Sequence, residues 1–365
     1  MVNRIFTYLK SDVMFTVSML LAVATSFFVV PDLGAVNWHT IFSLMTMMIW
    51  VSLLENAGVL HAVSVWLVSR SHHARALMTS VTLLSFFGAM LLSNDIAILT
   101  LMPIYLRLAS GLSTQLKIIG STLIIMAANS GAILFPFGKS QNLYLFGHYG
   151  VSVGEFFTWS ASLTVVSLIL MIIITRFIKM EPLAIDLKPA EHVENRQLVF
   201  LICTGVVLIA TIFGWLPFNV VVPLILIVFF IYNRKIFKMV DYGLLATFLF
   251  FFVATNNLAN IHMVQTLVGS LFDTPAHVLF GSFALSQIIS NVPSTILIST
   301  FTDHAHELFL GTNIGGLGTM IASMANLIGF RVYRQIEPDS SSTFLKLFMV
   351  LNFVMAAVLL VSFGL

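Results

Sequence analysis

The chain has 365 residues, 59% of them hydrophobic and only 9% charged, and its mean hydropathy is +1.01. That balance excludes a soluble globular domain and defines an integral membrane protein. A net charge of +2 spread over short loops excludes a nucleic-acid surface, and the lone Cys203, in an apolar run, excludes a disulfide framework or a cysteine metal cluster.

Met1 to Ser11 carries Arg4 and Lys10 and is expected in the cytoplasm under the positive-inside rule. Residues 12–30 are apolar, lack a small-residue cleavage pattern and end at Pro31-Asp32, so they read as a first span and not a signal peptide. A second span, 38–54, returns to Glu55 at the cytoplasmic boundary. Residues 58–69 are short and amphipathic, as expected of an interfacial segment. Arg70, His72, His73 and Arg75 form a polar turn on the inside.

Ser93-Asn94-Asp95 then separates two apolar arms, 76–92 and 96–108, with Arg107 and Lys117 holding the exit inside. Asn129-Ser130-Gly131 interrupts the next apolar segment, which crosses outward from Lys117 to about Phe146, and 152–175 crosses back. Residues 176–197 are the one long polar connection, with Lys179, Lys188 and Arg196 set against Glu181, Asp186, Glu191 and Glu194. Three parts follow: 1–175, a first repeat with N-terminal scaffold helices; 176–197, a cytoplasmic linker; and 198–365, a second repeat.

The second part opens with a tight pair, 198–213 and 217–232, followed by Arg234, Lys235 and Lys238 in the cytoplasm. Residues 242–256 cross outward. The stretch 276–302 is broken at Ser290-Asn291, and its flanks carry Asp273, Asp303 and Glu307. His262, His277, His304 and His306 on the same side match no metal-ligand spacing and read as surface histidines. Segment 307–330 is interrupted at Asn313 to Gly316, Arg331 and Arg334 return the chain to the cytoplasm, and 345–364 makes a last span that leaves the C-terminus outside.

Non-helical backbone at membrane depth is tolerated only where it is buried in protein or lines a wet cavity, because lipid satisfies no N–H or C=O group. The arm after Pro293 has roughly ten residues, about 15 Å of helix, which is half of a hydrocarbon core. Residues 76–108 and 276–302 are therefore expected as re-entrant hairpins. Asn291 caps the returning arm of the second, with Pro293 in its first turn, where a missing N–H costs least. Asn129 to Asn142 and Asn313 to Asn326 are both thirteen residues, and Leu143 matches Leu327. The flanks of the first hairpin are basic and those of the second are not, since no Lys or Arg occurs between Lys238 and Arg331. The fold expected is thus an all-α polytopic protein of two inverted repeats, each a hairpin plus a broken helix, with both tips near the midplane; such pairs point to a transporter site.

Residues 286–297, Ser-Gln-Ile-Ile-Ser-Asn-Val-Pro-Ser-Thr-Ile-Leu, with the matched interruptions, resemble the ion transporter superfamily, which includes divalent-anion/sodium symporters, citrate carriers, arsenite permeases and NhaD-type antiporters. Within it the chain most resembles the YbiR-like transporters. The resemblance covers nearly the whole chain and implies a homodimer, a scaffold domain and a transport domain that moves as an elevator. In the symporter branch, Ser-Asn-Thr tips and helix breaks bind sodium and substrate carboxylates. Carried over, these are Ser93, Asn94, Asp95, Asn129, Gly131, Ser290, Asn291, Ser294, Asn313 and Gly315. Two positions depart from that branch: Asp95 stands where it has Thr, closer to arsenite permeases and NhaD-type antiporters, and Lys139 stands where relatives commonly have a small neutral residue.

An ionisable side chain inside the membrane is a functional candidate by default. Asp95 is either a helix cap or the seat of a sodium ion or proton. Counted along a continuous helix, Lys139 lies about 15 Å from Asn129. It either snorkels to the outer interface or sits near Asp95 in place of a cation. The tip Asn and Ser side chains satisfy hairpin backbone or contact solute; the substrate set is Ser93, Asn94, Asn129, Gly131, Asn142, Ser290, Asn291, Ser294, Thr295, Asn313, Gly315 and Asn326. Among these the glycines permit close backbone approach. Oxygen ligands suit a hard cation, while helix N-termini favour an anion.

The function expected is an ion-coupled secondary transporter of a small anion, a di- or tricarboxylate or a related one, driven by sodium or protons. It needs no cofactor beyond that ion and resides in a bacterial-type inner (plasma) membrane. The alternative is cation/proton antiport or arsenite-type efflux. An enzyme is disfavoured: an aspartyl protease needs a second catalytic Asp facing Asp95, and the sequence makes no intramembrane partner evident, while a His-Glu-x-x-His run is absent.

Overall fold

A computed structural model describes residues 13–59, 61–63, 71, 73–182 and 194–364. The basic N-terminus, most of the expected interfacial segment, Arg70, His72 and half of the 176–197 connection lie outside the described residues. The long helices are α1 (Val13–Ser26), α2 (Trp38–Asn56), α3 (Ala74–Leu92), α4 (Asn94–Leu108), α5 (Thr114–Gly131), α6 (Ser140–His148), α7 (Val153–Arg176) and α8 (Asn195–Ile212). They continue with α9 (Phe218–Asn233), α10 (Tyr242–Ala259), α11 (His262–Leu271), α12 (Pro275–Ile289), α13 (Asn291–Ser299), α14 (Ala305–Gly315), α15 (Met324–Ile336) and α16 (Ser341–Gly364). The short α11 follows the outward-crossing span at a place where the sequence reading expects no helix.

Among the described residues, seven helical stretches are long and apolar enough to cross a membrane: α2, α3, α7, α8, α10, α9 with the turn after it, and α16 with the turn before it. The architecture is that of a polytopic membrane protein. Burial sorts its helices: 67% of the α2 window is buried but only 22% of the α9 window. Exposed Val220, Ile227 and Ile231 therefore belong to a lipid-facing rim, whereas α2 lies inside.

Helices α3 and α4 are joined at Ser93 alone, and α12 and α13 at Ser290 alone. Among the described residues these two serines are the only non-glycine residues with positive φ, 82° and 74°. With ψ of 154° and 156° they occupy a region that side chains rarely enter, at a cost of about 1–3 kcal/mol each. Each one-residue break folds its two helices against each other, and α3 packs on α5 as α12 packs on α14. Gly131 and Gly315 permit these approaches. A Cβ on Gly131 would strike the Phe86 carbonyl, and one on Gly315 would lie 2.7 Å from the Ser286 Cβ.

The interrupted helices break later than their polar runs suggest. Asn129, Ser130 and Gly131 are still helical in α5, and the chain leaves the helix over residues 132–139. Pro136 helps to set that break, because the residue before a proline avoids the α region, and Phe135 is extended at φ −106°, ψ 146°. Likewise Asn313 and Gly315 close α14, and the break occupies residues 316–323.

Three contacts relate the ends of these elements. Arg75 Nε donates to the Ile178 carbonyl at 2.7 Å, which ties the start of α3 to the end of α7. The Tyr149 hydroxyl donates to the Thr302 carbonyl at 2.8 Å, joining the end of α6 to the end of α13. Lys117 Nζ and Glu337 Oε1 pair at 2.6 Å, joining the start of α5 to the end of α15.

Candidate binding site between the helix breaks

The break after α5 turns Lys139 back into the protein. Lys139 is the N-cap residue of α6 and only 4% exposed, so of its two expected placements the outer interface is ruled out. That placement assumes a continuous α-helix, whereas residues 132–139 leave it, with only a short 3-10 turn at Pro136–Gly138. Its ammonium donates to Asn313 Oδ1 at 3.2 Å.

The two hairpin tips and both second half-helices converge on one cavity of about 80 Å³. Asn94 and Asp95 line it from α4, Asn291 and Val292 from α13, Lys139, Ser140 and Gln141 from α6, and Ser323 and Met324 from the start of α15. Four helix N-termini therefore face it, each with its positive dipole end; in α13 the Asn291 N–H is already paired with the Ala322 carbonyl and Pro293 has none. The side chains of the N-cap residues Ser93, Lys139, Ser290 and Ser323 make no capping hydrogen bond. Asp241, exposed, lines the open side and caps α10 through a 3.0 Å bond from the Leu244 N–H.

Behind the cavity lie the buried asparagines. Asn94 Nδ2 donates to Asn129 Oδ1 at 3.1 Å, and Asn129 Nδ2 donates to Asn326 Oδ1 at 2.8 Å. Asn326 Nδ2 then donates to the Gly316 and Thr319 carbonyls in the second break. At the other end, Asn313 Nδ2 donates to Asn142 Oδ1 at 2.7 Å, and Asn142 Nδ2 to the Ile133 carbonyl in the first break. The correspondence extends to the N-caps: Ser323 Oγ donates to Asn129 Oδ1 at 3.2 Å, as Lys139 Nζ does to Asn313 Oδ1. Fully satisfied amide networks of this kind fix a single arrangement of the helices that share them.

Three buried polar atoms at or near the site lack a partner among the described residues: Asp95 Oδ1, Gln141 Nε2 and Ser294 Oγ. Asp95 and Lys139 share the cavity without forming an ion pair. The ion pairs among the described residues are Lys117–Glu337, His277–Asp273 and His306–Glu307.

Of the residues singled out in the sequence, Asn94, Asp95, Lys139 and Asn291 line the cavity, and Asn129, Asn142, Asn313 and Asn326 form its support. Ser93 and Ser290 make the turns. Thr295 hydrogen-bonds to the Asn291 carbonyl of its own helix, and Gly131 and Gly315 pack against hairpin arms. Ser323 and Asp241 were not singled out. Ser323 precedes Asn326 by the same three residues by which Lys139 precedes Asn142, so extending the thirteen-residue match would have found it. Asp241 carries no local signal beyond a helix cap.

A bundle of apolar helices, with its interrupted members meeting around a buried polar cavity, defines a membrane transporter. The chain belongs to the citrate transporter family (CitMHS), whose family model matches residues 5–309. It is 30% identical to an uncharacterized transporter of Methanocaldococcus jannaschii over 81% of each chain. It is 27% identical to the inner membrane protein YbiR of Escherichia coli, over 89% of this chain and 88% of that one. A third relative, an uncharacterized transporter of Mycobacterium tuberculosis, is 25% identical over 83% of this chain and 80% of its own length. The family is one of transporters, not enzymes, and its residence is the lipid bilayer.

Proposed function

We propose that the protein is an ion-coupled secondary transporter of a small anion, built as two inverted repeats and working as an elevator. The observation that carries the anion is the convergence of four helix N-termini and the Lys139 ammonium on one cavity. Backbone N–H groups at helix starts, aimed at a common point, are a ready site for carboxylate or oxyanion. The cavity volume narrows the class. About 80 Å³ is well below the roughly 300–1,000 Å³ of sites that enclose drug-sized ligands, so the cargo is a short carboxylate or oxyanion unless the tips part.

The end-to-end contacts support inversion. Helix α7 has 24 residues, enough to cross; the base of the first hairpin lies at its end, and the base of the second lies beside Tyr149, just before its start. The hairpins thus enter from opposite faces. The Lys117–Glu337 pair agrees, since one broken helix begins where the other finishes. Arg75, Arg107, Lys117, Arg331 and Arg334 make the first face cytoplasmic under the positive-inside rule, with the N-terminus inside and the C-terminus outside. A homodimer held through scaffold helices around α2 and α8 to α10 belongs to the same reading.

Uptake of labelled short carboxylates and oxyanions into proteoliposomes under sodium or proton gradients tests the cargo. Accumulation of at least one is expected, and failure of the whole panel overturns the anion reading. Asp95 favours a second reading, cation/proton antiport, because its buried Oδ1 has no partner and suits a cation. Proton release when sodium or lithium is added to vesicles without anion would select that alternative.

A further inference from the structure

The correspondence between the two breaks is close, and it fails at two positions that carry charge. At Asn129 the facing N-cap is the neutral Ser323 and the adjoining tip supplies Asp95. At Asn313 the facing N-cap is Lys139, and the tip residue that matches Asp95 is Val292. The carboxylate and the ammonium thus serve opposite members of a matched pair. We propose that Lys139 is a tethered cation that permanently fills one of two equivalent seats, so that each transport cycle uses one mobile monovalent cation, held at Asp95. This inference rests on the ion-coupled reading given above and specifies its coupling ion.

The geometry at each seat fits. An ammonium has three donors and no acceptor, and Lys139 places its own against Asn313 Oδ1 at the carbonyl end of α14, the negative end of that helix dipole. Its Nζ also lies 3.7 Å from the position of a Cβ on Gly316, inside the second break. The other seat has the negative end of α5 and the Asp95 Oδ1 that no protein donor reaches, beside an Asn129 carboxamide oxygen that accepts from Asn94 Nδ2 and Ser323 Oγ. Removing one charge of a buried set leaves the remainder uncompensated, and that sets the coupling. With the Asp95 seat empty, Asp95 and Lys139 cancel and the exposed Asp241 leaves the lining at a net −1; a cation at the seat raises that by one and so favours an anion relative to the empty state. Cation and anion then raise each other's affinity, as linkage requires.

The test counts cations on the purified protein in lipid nanodiscs, without any cargo. Sodium chloride is titrated calorimetrically against a choline chloride control, and proton uptake is followed in weak buffer, so that sodium and proton are told apart. One cation per protomer is expected for the natural chain and none for Asp95→Asn. Lys139→Ser, which copies Ser323, is expected to bind two, with the Hill coefficient rising from about 1 toward about 2, and the double variant one. Lys139→Gln keeps a terminal N–H donor on a side chain one atom shorter and serves if the serine variant does not fold; the lost charge should open the second seat. Two cations on the natural chain, or one on both lysine variants, would overturn the proposal. If these counts hold and no anion is transported, the tethered lysine stands and the cargo assignment falls; if anion uptake holds and the counts do not, only the tethered lysine falls.

Discussion

Asn129, in the last turn of one broken helix, donates a 2.8 Å hydrogen bond to Asn326, in the second half of the other. Asn313 and Asn142 repeat the arrangement at 2.7 Å. Each broken helix therefore completes the buried amide of its counterpart, and the two halves of the chain are energetically joined at the site itself.

Replacing Asn129 or Asn326 by Ala strands a buried amide and should cost about 1–3 kcal/mol. The double replacement should cost clearly less than the sum, because the second change removes a group already left without its partner. Thermal unfolding of the four proteins in one detergent measures this. Strictly additive shifts would mean that the two amides do not depend on each other.

Gly131 and Gly315 should tolerate alanine unequally. On Gly131 the added methyl meets the main chain at Phe86, which is held in α3, whereas on Gly315 it meets chiefly the Ser286 side chain. Overpacking costs about 1–3 kcal/mol where the neighbour cannot yield. Gly131→Ala is expected to lose more stability and more transport than Gly315→Ala, and the reverse order in melting temperature would contradict the packing described here.

Much of this was legible in the sequence because membrane depth makes polar residues conspicuous. Ser93, Asn94 and Asp95 stand out between apolar arms, and the thirteen-residue spacing of the asparagines singles out the four amides that the structure brings into pairs. The exact breaks were not legible. Asn129 and Asn313 look like helix interrupters, yet their side chains are satisfied by tertiary partners, so the helix runs on to the glycine. For the same reason the sequence left Lys139 between two places, since counting helical rise through residues 132–139 carries it toward the outer interface whereas the break returns it to the site. Asp241 comes from a different segment altogether, and only tertiary packing brings it to the cavity.

Gln287 clips the second break to its hairpin. Its Nε2 donates to the Gly315 and Leu317 carbonyls at 2.9 and 3.1 Å, and its Oε1 accepts from the Thr319 N–H at 2.9 Å. Met90 stands at the matching place, three residues before the tip, in the first hairpin, and offers no such clip. Gln287→Ala should speed amide hydrogen exchange over residues 316–323 by about ten- to a hundredfold, corresponding to about 1–3 kcal/mol of local opening, and leave residues 132–139 nearly unchanged. Equal acceleration at both breaks would show that the clip is not local.

Asp241 sets the electrostatics of the cavity's open side. Its carboxylate is exposed and lines the same cavity as Lys139, so an arriving anion passes a negative charge before it meets the helix starts. Asp241→Asn removes that charge and keeps an oxygen for the Leu244 N–H, since Asn caps helices as well as Asp does, so α10 should be undisturbed. For an anionic cargo the variant should therefore lower KM at low salt with little change in kcat. The gain should shrink at about 0.15 M salt, where the screening length is only about 8 Å. A cationic cargo reverses the sign, because the same carboxylate then attracts what is carried. Initial rates in proteoliposomes at two ionic strengths thus report the charge of the solute, and a KM that rises in the variant at low salt would favour the cation reading.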